Sequence, residues 1–87
     1  MKYQIDYYNI EFGAHILASP IYTNSEYVEV DSEKKLHEYI LKQKDLYGRK
    51  FKKSPDRFMG YDFISNSGGV KYKKYKEPKS PKFKKLK

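Results

Sequence analysis

Cysteine is absent from the sequence, which excludes disulfide bonds and any zinc or iron–sulfur site built on thiolates, and which fits a reducing compartment. Long apolar runs are missing too. The opening MKYQIDYYNI carries charge within its first six residues, so neither a signal peptide nor a membrane span is readable there. The expectation is a cytoplasmic protein, in the host cytoplasm if phage-encoded, with no membrane partner. Histidine is scarce: His15 and His37 are the only two, and neither has a partner ligand at the spacing of a known metal motif. No glycine-framed serine suggests a nucleophile, and no glycine-rich phosphate loop occurs. These absences point to a non-enzyme without metal or cofactor.

Acidic residues thin out along the chain. Residues 1–41 hold three lysines against seven acids, a net of −4, whereas residues 42–87 hold sixteen basic groups against four acids, a net of +12. The whole chain of 87 residues therefore carries +8. A chain polarised in this way is expected to meet a polyanion through its basic half. Codons rich in A and T serve 43 of the residues (Phe, Tyr, Met, Ile, Asn and Lys), which suggests a low-G+C bacterium, its phage or its plasmid.

What the sequence does contain is strand periodicity and one amphipathic segment. In KYQIDYY the bodies of Tyr3, Ile5 and Tyr7 alternate with Lys2, Gln4 and Asp6, as a strand with one buried face requires. AHILAS, ended or placed at a sheet edge by Pro20, is a second candidate. After the turn-rich TNSE, EYVEV sets Val28 and Val30 against Tyr27 and Glu29. DSEKKLHEYILKQKDLYG then reads as a helix of about four turns, capped by Asp31 or Ser32 and stopped by Gly48, with Leu36, Tyr39, Ile40, Leu46 and Tyr47 on one face. FMGYDFI offers a further strand in which Met59, Tyr61 and Phe63 share a face.

SNSGG, residues 65–69, is either a hairpin turn, after which VKYKKYK pairs back as another strand, or a hinge. The expected fold class is α+β: a small antiparallel or mixed sheet of order β-β-β-α-β, with a possible further β, packed by one helix. Residues 1–66 form the compact domain, and 67–87 follow as turn or hinge and basic tail, unstructured beyond Glu77. The expected core is Tyr3, Ile5, Tyr7, Ile16, Val28, Val30, Leu36, Tyr39, Ile40, Leu46, Tyr61 and Phe63. So thin a core makes a homodimer that covers the sheet's second face an expectation as well.

Two basic clusters carry the functional reading. Arg49, Lys50, Lys52, Lys53 and Arg57 follow the helix, where cations also suit the negative end of its dipole. The second cluster interleaves rings with cations: Lys71, Tyr72, Lys73, Lys74, Tyr75, Lys76, Lys79, Lys82, Lys84, Lys85 and Lys87. Lysines neutralise phosphates and rings stack on exposed bases, a combination suited to single strands; the structural alternative is that Tyr72 and Tyr75 simply pack as strand residues. Ser80-Pro81-Lys82-Phe83 resembles the serine-proline-basic motifs of histone tails, which are associated with A·T-rich minor grooves, and departs from them at Phe83.

The sequence is thus read as a small basic protein that binds DNA or RNA, or associates with a nucleoprotein. Glu26, Glu29 and Glu33 are available for a host protein partner. A second reading is a phage- or plasmid-encoded inhibitor of a host or defence protein, similar in size and composition to anti-CRISPR proteins. A third is a small basic ribonuclease that uses His15 or His37 beside phosphate-binding lysines.

Overall fold

The computed structural model describes residues 1–11, 19–55, 60–76 and 82–86. They form one helix and six strands: β1 (Lys2–Glu11), β2 (Ser19–Glu29), α1 (Glu33–Leu41), β3 (Lys52–Lys53), β4 (Phe63–Ile64), β5 (Gly68–Lys74) and β6 (Lys84–Lys85). The strands make a single mixed sheet in the order β3-β4-β5-β1-β2-β6. All neighbours are antiparallel except β2 and β6, which run parallel. This is a small α+β fold with the helix on one face of the sheet.

The alternation in β1 does what its sequence requires. Tyr3, Ile5 and Tyr7 point toward α1 and join Val28, Val30, Leu36, Ile40, Phe51, Phe63 and Val70 in one core cluster. Leu36 and Ile40, one helical turn apart, are fully buried, which fixes the helix against the sheet. Ser32 caps α1, accepting from the Lys35 N–H at 3.3 Å. Glu33 stands in the first turn, at the positive end of the dipole.

Four expectations are corrected. The helix stops at Leu41 and does not run on toward Gly48, because local side chains compete for its backbone. Gln43 Nε2 donates to the Tyr39 carbonyl, and Asp45 Oδ1 accepts from the N–H groups of Tyr47 and Arg49 at 2.9 Å each. This turn chemistry displaces helical bonds. Leu46 consequently lies 71% exposed and outside the core. Gly48 does adopt a left-handed φ of 77°, but within that turn and not at the helix end.

The interval TNSE is not a turn. β2 runs through it as one strand of 11 residues, so EYVE forms its last part, with Val30 just past its end. Further along, Tyr61 and Phe63 do not share a face: Phe63 joins the core, while Tyr61 lies against Gly69 and Tyr8. Gly60, with φ of 81°, turns the chain just before Tyr61. Beyond Glu77, residues 82–86 are structured: Lys84 and Lys85 pair with Val28 and Glu29, and Leu86 packs on the core.

Of the two readings of SNSGG, the hairpin is the one observed. Ser65 N–H donates to the Gly68 carbonyl, and β5 then enters the sheet between β4 and β1. Val70 is fully buried there. Tyr39 is only half-buried, while Ile10, Phe51 and Val70 are buried in addition to the expected core. The candidate strand at residues 14–18, with Ile16 and His15, falls outside the described residues, as do Arg57, Met59, Lys79, the Ser80-Pro81 pair and Lys87.

Candidate nucleic-acid interface

Directly opposed residues on paired strands share a face, so the register assigns every strand residue to the helix side or to the other side. Opposite Asp6 stand Ser25 on β2 and Lys71 on β5; opposite Gln4 stand Tyr27 and Lys73; opposite Lys2 stands Glu29, itself opposite Lys85. Tyr8 is opposite Tyr22 and Gly69, and Gly69 is opposite Ile64, which pairs with Lys52. All of these belong to the face turned away from α1. That face carries Lys2, Lys52, Lys71, Lys73 and Lys85 among six aromatic residues.

The rings fall into two groups. At one end Tyr8 makes edge contacts with Tyr22 at 5.9 Å and Tyr61 at 5.5 Å between centroids, and Lys71 Nζ lies 5.4 Å from the Tyr8 ring and 5.1 Å from Tyr61. At the other end Tyr27, Tyr75 and Phe83 contact one another edge to face at 5.2–5.9 Å, with Lys2 Nζ 5.0 Å from Phe83. Edge-to-face packing of this kind fixes ring orientation, and the cation–π contacts hold both ammonium groups over the sheet. Tyr22 is 56% exposed, and Tyr8, Tyr27, Tyr75 and Phe83 are all partly exposed.

A β-bulge puts Tyr22 on this face. The register slips between Tyr7, opposite Asn24, and Tyr8, opposite Tyr22, leaving Thr23 as the extra residue. Strict alternation from Ser25 would have turned Tyr22 toward the helix side; the inserted residue reverses it. Thr23 Oγ1 donates to the Tyr7 carbonyl at 3.0 Å and so supplies a partner where the ladder is interrupted.

The sequence-predicted residues are distributed unequally. Lys52, Lys71, Lys73, Tyr75 and Lys85 lie on the open face, whereas Lys53, Tyr72, Lys74 and Lys84 are in register with helix-side residues. Lys84 Nζ sits 5.4 Å over the Tyr39 ring. Arg49 lies against Tyr47 in the loop after α1, Lys50 bridges back to Lys44, and Lys76 and Lys82 are exposed. Lys52 and Lys53 on β3 and Lys84 and Lys85 on β6 occupy opposite edges of the sheet, about 24 Å apart across five strand spacings, and the β5 lysines of the second cluster and Lys2 lie between them. Lys2, Tyr8, Tyr22, Tyr27, Tyr61 and Phe83 extend the predicted set. The alternation that identified β1 also put Lys2 and Tyr8 on its second face; Tyr22 carried no such signal.

Tyr72 belongs to a separate cluster on the helix side. A cavity of about 200 Å³ is lined by Glu33, His37, Lys53, Ser54, Asp62, Phe63 and Tyr72. Tyr72 O–H donates to Glu33 Oε1 at 3.3 Å, which leaves its oxygen to accept from His37 Nε2 at 2.7 Å. Burial, reinforced by the charges of Glu33 and Asp62, pushes the Tyr72 hydroxyl up to about 12. Two of the three acids considered for a protein partner, Glu26 and Glu33, are hydrogen-bonded within the fold, and Glu29 is in no ion pair among the described residues. Glu26 accepts from Tyr7 and from Tyr39 at 2.6 Å, Glu33 meets His37 and Tyr72, and Glu29 stands between Lys2 and Lys85.

Among the described residues no group of three or more His, Cys, Asp or Glu is placed to hold a metal ion, and no helix is long and apolar enough to cross a membrane. Comparison with protein-family models, with curated proteins and with solved structures gives no match.

Proposed function

We propose that the protein binds single-stranded nucleic acid, free or within a nucleoprotein, on the open face of its sheet, without catalysing a reaction and within the cytoplasm. One observation carries this reading: five lysines and five partly exposed rings, Tyr8, Tyr22, Tyr27, Tyr75 and Phe83, share a single face that α1 leaves uncovered, with the buried ring of Tyr61 in edge contact with Tyr8. Stacking on a ring needs an unpaired base, contributes about 1–3 kcal/mol per base, and tolerates any sequence because every base has a face. Lysines alone would serve duplex phosphates equally well; the rings favour the single strand. The loop and tail emphasised by the sequence contribute Lys52, Tyr75, Phe83 and Lys85 to this surface.

The test is affinity for a single-stranded oligonucleotide as a function of salt. Five lysine–phosphate contacts at about −0.7 per contact give a slope near −3.5, or about a hundredfold loss between 50 and 200 mM. A double variant, Lys71→Ala with Lys73→Ala, lowers the slope by about 1.4. Absence of binding at 50 mM salt overturns the proposal.

A further inference from the structure

Asp6 is the unexpected group on the open face. It lies opposite Lys71 on one side and Ser25 on the other, midway between the two ring groups. Tyr8 and Gln4, four residues apart, are separated by about 13 Å along β1, and Asp6 is the residue between them on this face. A surface serving phosphates alone gains nothing from a carboxylate there, since like charge repels the ligand. Nor does Asp6 form an ion pair with Lys71: among the described residues the ion pairs within 4.0 Å are Lys35–Glu38 and His37–Glu33, and Lys71 Nζ lies instead over Tyr8 and Tyr61.

The carboxylate is held in a fixed orientation. Gln4 Nε2 donates to Asp6 Oδ1 at 2.8 Å, and Ser25 Oγ donates to the same oxygen at 2.5 Å. The Tyr22 hydroxyl lies 2.6 Å from Ser25 Oγ; because Ser25 gives its proton to Asp6, Tyr22 donates to Ser25. Two side chains from two strands thus hold Oδ1, one of them, Ser25, backed by Tyr22, and Oδ2 has no hydrogen-bond partner among the described residues. An acceptor fixed beside stacking rings, with its lone pairs unspent, suits the edge of a base stacked on those rings.

We infer that Asp6 is a specificity-determining residue for the nucleic acid bound on this face, and that it selects bases with an exocyclic amino group over thymine and uracil. This rests on the nucleic-acid reading above. Adenine, cytosine and guanine each present an N–H₂ donor that Oδ2 can accept. Thymine and uracil present carbonyl oxygens on either side of their single N–H, and a carboxylate facing a carbonyl leaves both acceptors unpaired. A carboxylate reading the cytosine amino group is an established pairing, and one well-formed base contact discriminates by about tenfold or more.

The experiment compares oligocytidylate, oligoadenylate and oligothymidylate, each about twelve nucleotides long, for binding to the wild-type chain and to Asp6→Asn at one fixed salt concentration. The asparagine retains an oxygen for Gln4 and Ser25, and thermal unfolding checks that the fold is kept. The expected result is that the wild type binds the cytosine and adenine strands about tenfold more tightly than the thymine strand. In Asp6→Asn the ratio falls to about one as thymine binding rises. If Asp6 acts only as a repulsive charge, its removal strengthens all three equally with the ratio unchanged, which overturns the inference. Equal affinities in the wild type overturn it as well and leave the nucleic-acid reading standing, whereas failure of every strand to bind overturns that reading too.

Discussion

The ring of Tyr61 lies against Gly69 so closely that a Cβ at residue 69 would stand 2.6 Å from its Cδ1 and 2.8 Å from its Cε1 and Cγ. The missing side chain on β5 is therefore the seat of one ring of the open face, and that ring in turn contacts Tyr8 and Lys71. Packing at one glycine supports both the fold and the proposed binding surface.

Gly69→Ala is expected to displace Tyr61, since the obstructing atoms belong to a rigid ring. Overpacking of this kind costs about 1–3 kcal/mol, to be read by urea unfolding. Because Tyr61 also positions Lys71, oligonucleotide affinity is expected to fall more in Gly69→Ala than in an exposed control such as Lys76→Ala.

Asp45 ties the loop after α1 to the β4–β5 turn. Its Oδ2 accepts from the hydroxyls of Ser65 and Ser67, and its Oδ1 from the N–H groups of Tyr47 and Arg49. Burial works against its charge, but the two serine hydroxyls and then the two backbone donors outweigh it and hold the carboxyl below its ordinary 3.8. With the folded value below the unfolded one, this contribution is full above about pH 4 and is lost as pH falls through the depressed value. Asp45→Ala is expected to cost about 1–3 kcal/mol at neutral pH, because it leaves buried donors unpaired. The gap between wild type and variant in urea unfolding should narrow below pH 3.8.

At the alkaline end the sign reverses. Burial, then the hydrogen bonds and charge of Glu26, hold Tyr7 and Tyr39 above the ordinary value of 10.0, and Tyr72 is pushed up to about 12. These hydroxyls stabilise the fold fully below the unfolded value, and that contribution is lost as pH rises through their folded values. A tyrosinate absorbance titration is expected to show a late group, Tyr7, Tyr39 and Tyr72, that ionises with unfolding. Glu26→Gln should bring Tyr7 and Tyr39 down and leave Tyr72 in place.

The C-terminal segment is expected to be separable from the rest of the sheet only after Lys76. A chain ending there loses β6, Phe83 and Leu86, and with them the cover of the β2 edge. It should unfold at lower urea and self-associate, as an uncovered strand edge does. A chain ending at Gly69 would instead lose most of β5, whose Tyr3–Lys74 to Asn9–Gly68 pairings hold the middle of the sheet, and is expected not to fold.

The sequence made legible whatever depends on period. Tyr3, Ile5 and Tyr7 were placed by alternation alone, and so were Val28 and Val30; Leu36 and Ile40 followed from helical spacing. Features that depend on a local exception were hidden. Gln43 and Asp45 end the helix through side-chain bonds that propensity does not register, and the extra residue Thr23 reverses Tyr22 without any change in composition. Phe83 and Lys85 carry no strand signal of their own, because their partners, Tyr27 and Glu29, lie more than fifty residues earlier in the chain. The basic character was plain from the charge balance, but its division between two faces required the register of β5.

The most direct measurement is a backbone amide NMR titration of the full chain with a single-stranded oligonucleotide at low salt. The account predicts shifts concentrated at Lys2, Gln4, Asp6, Tyr8, Tyr22, Tyr27, Lys71 and Lys73, with α1 unmoved. Shifts confined to α1 and the loop from Lys42 to Lys50, or none at all, would contradict it.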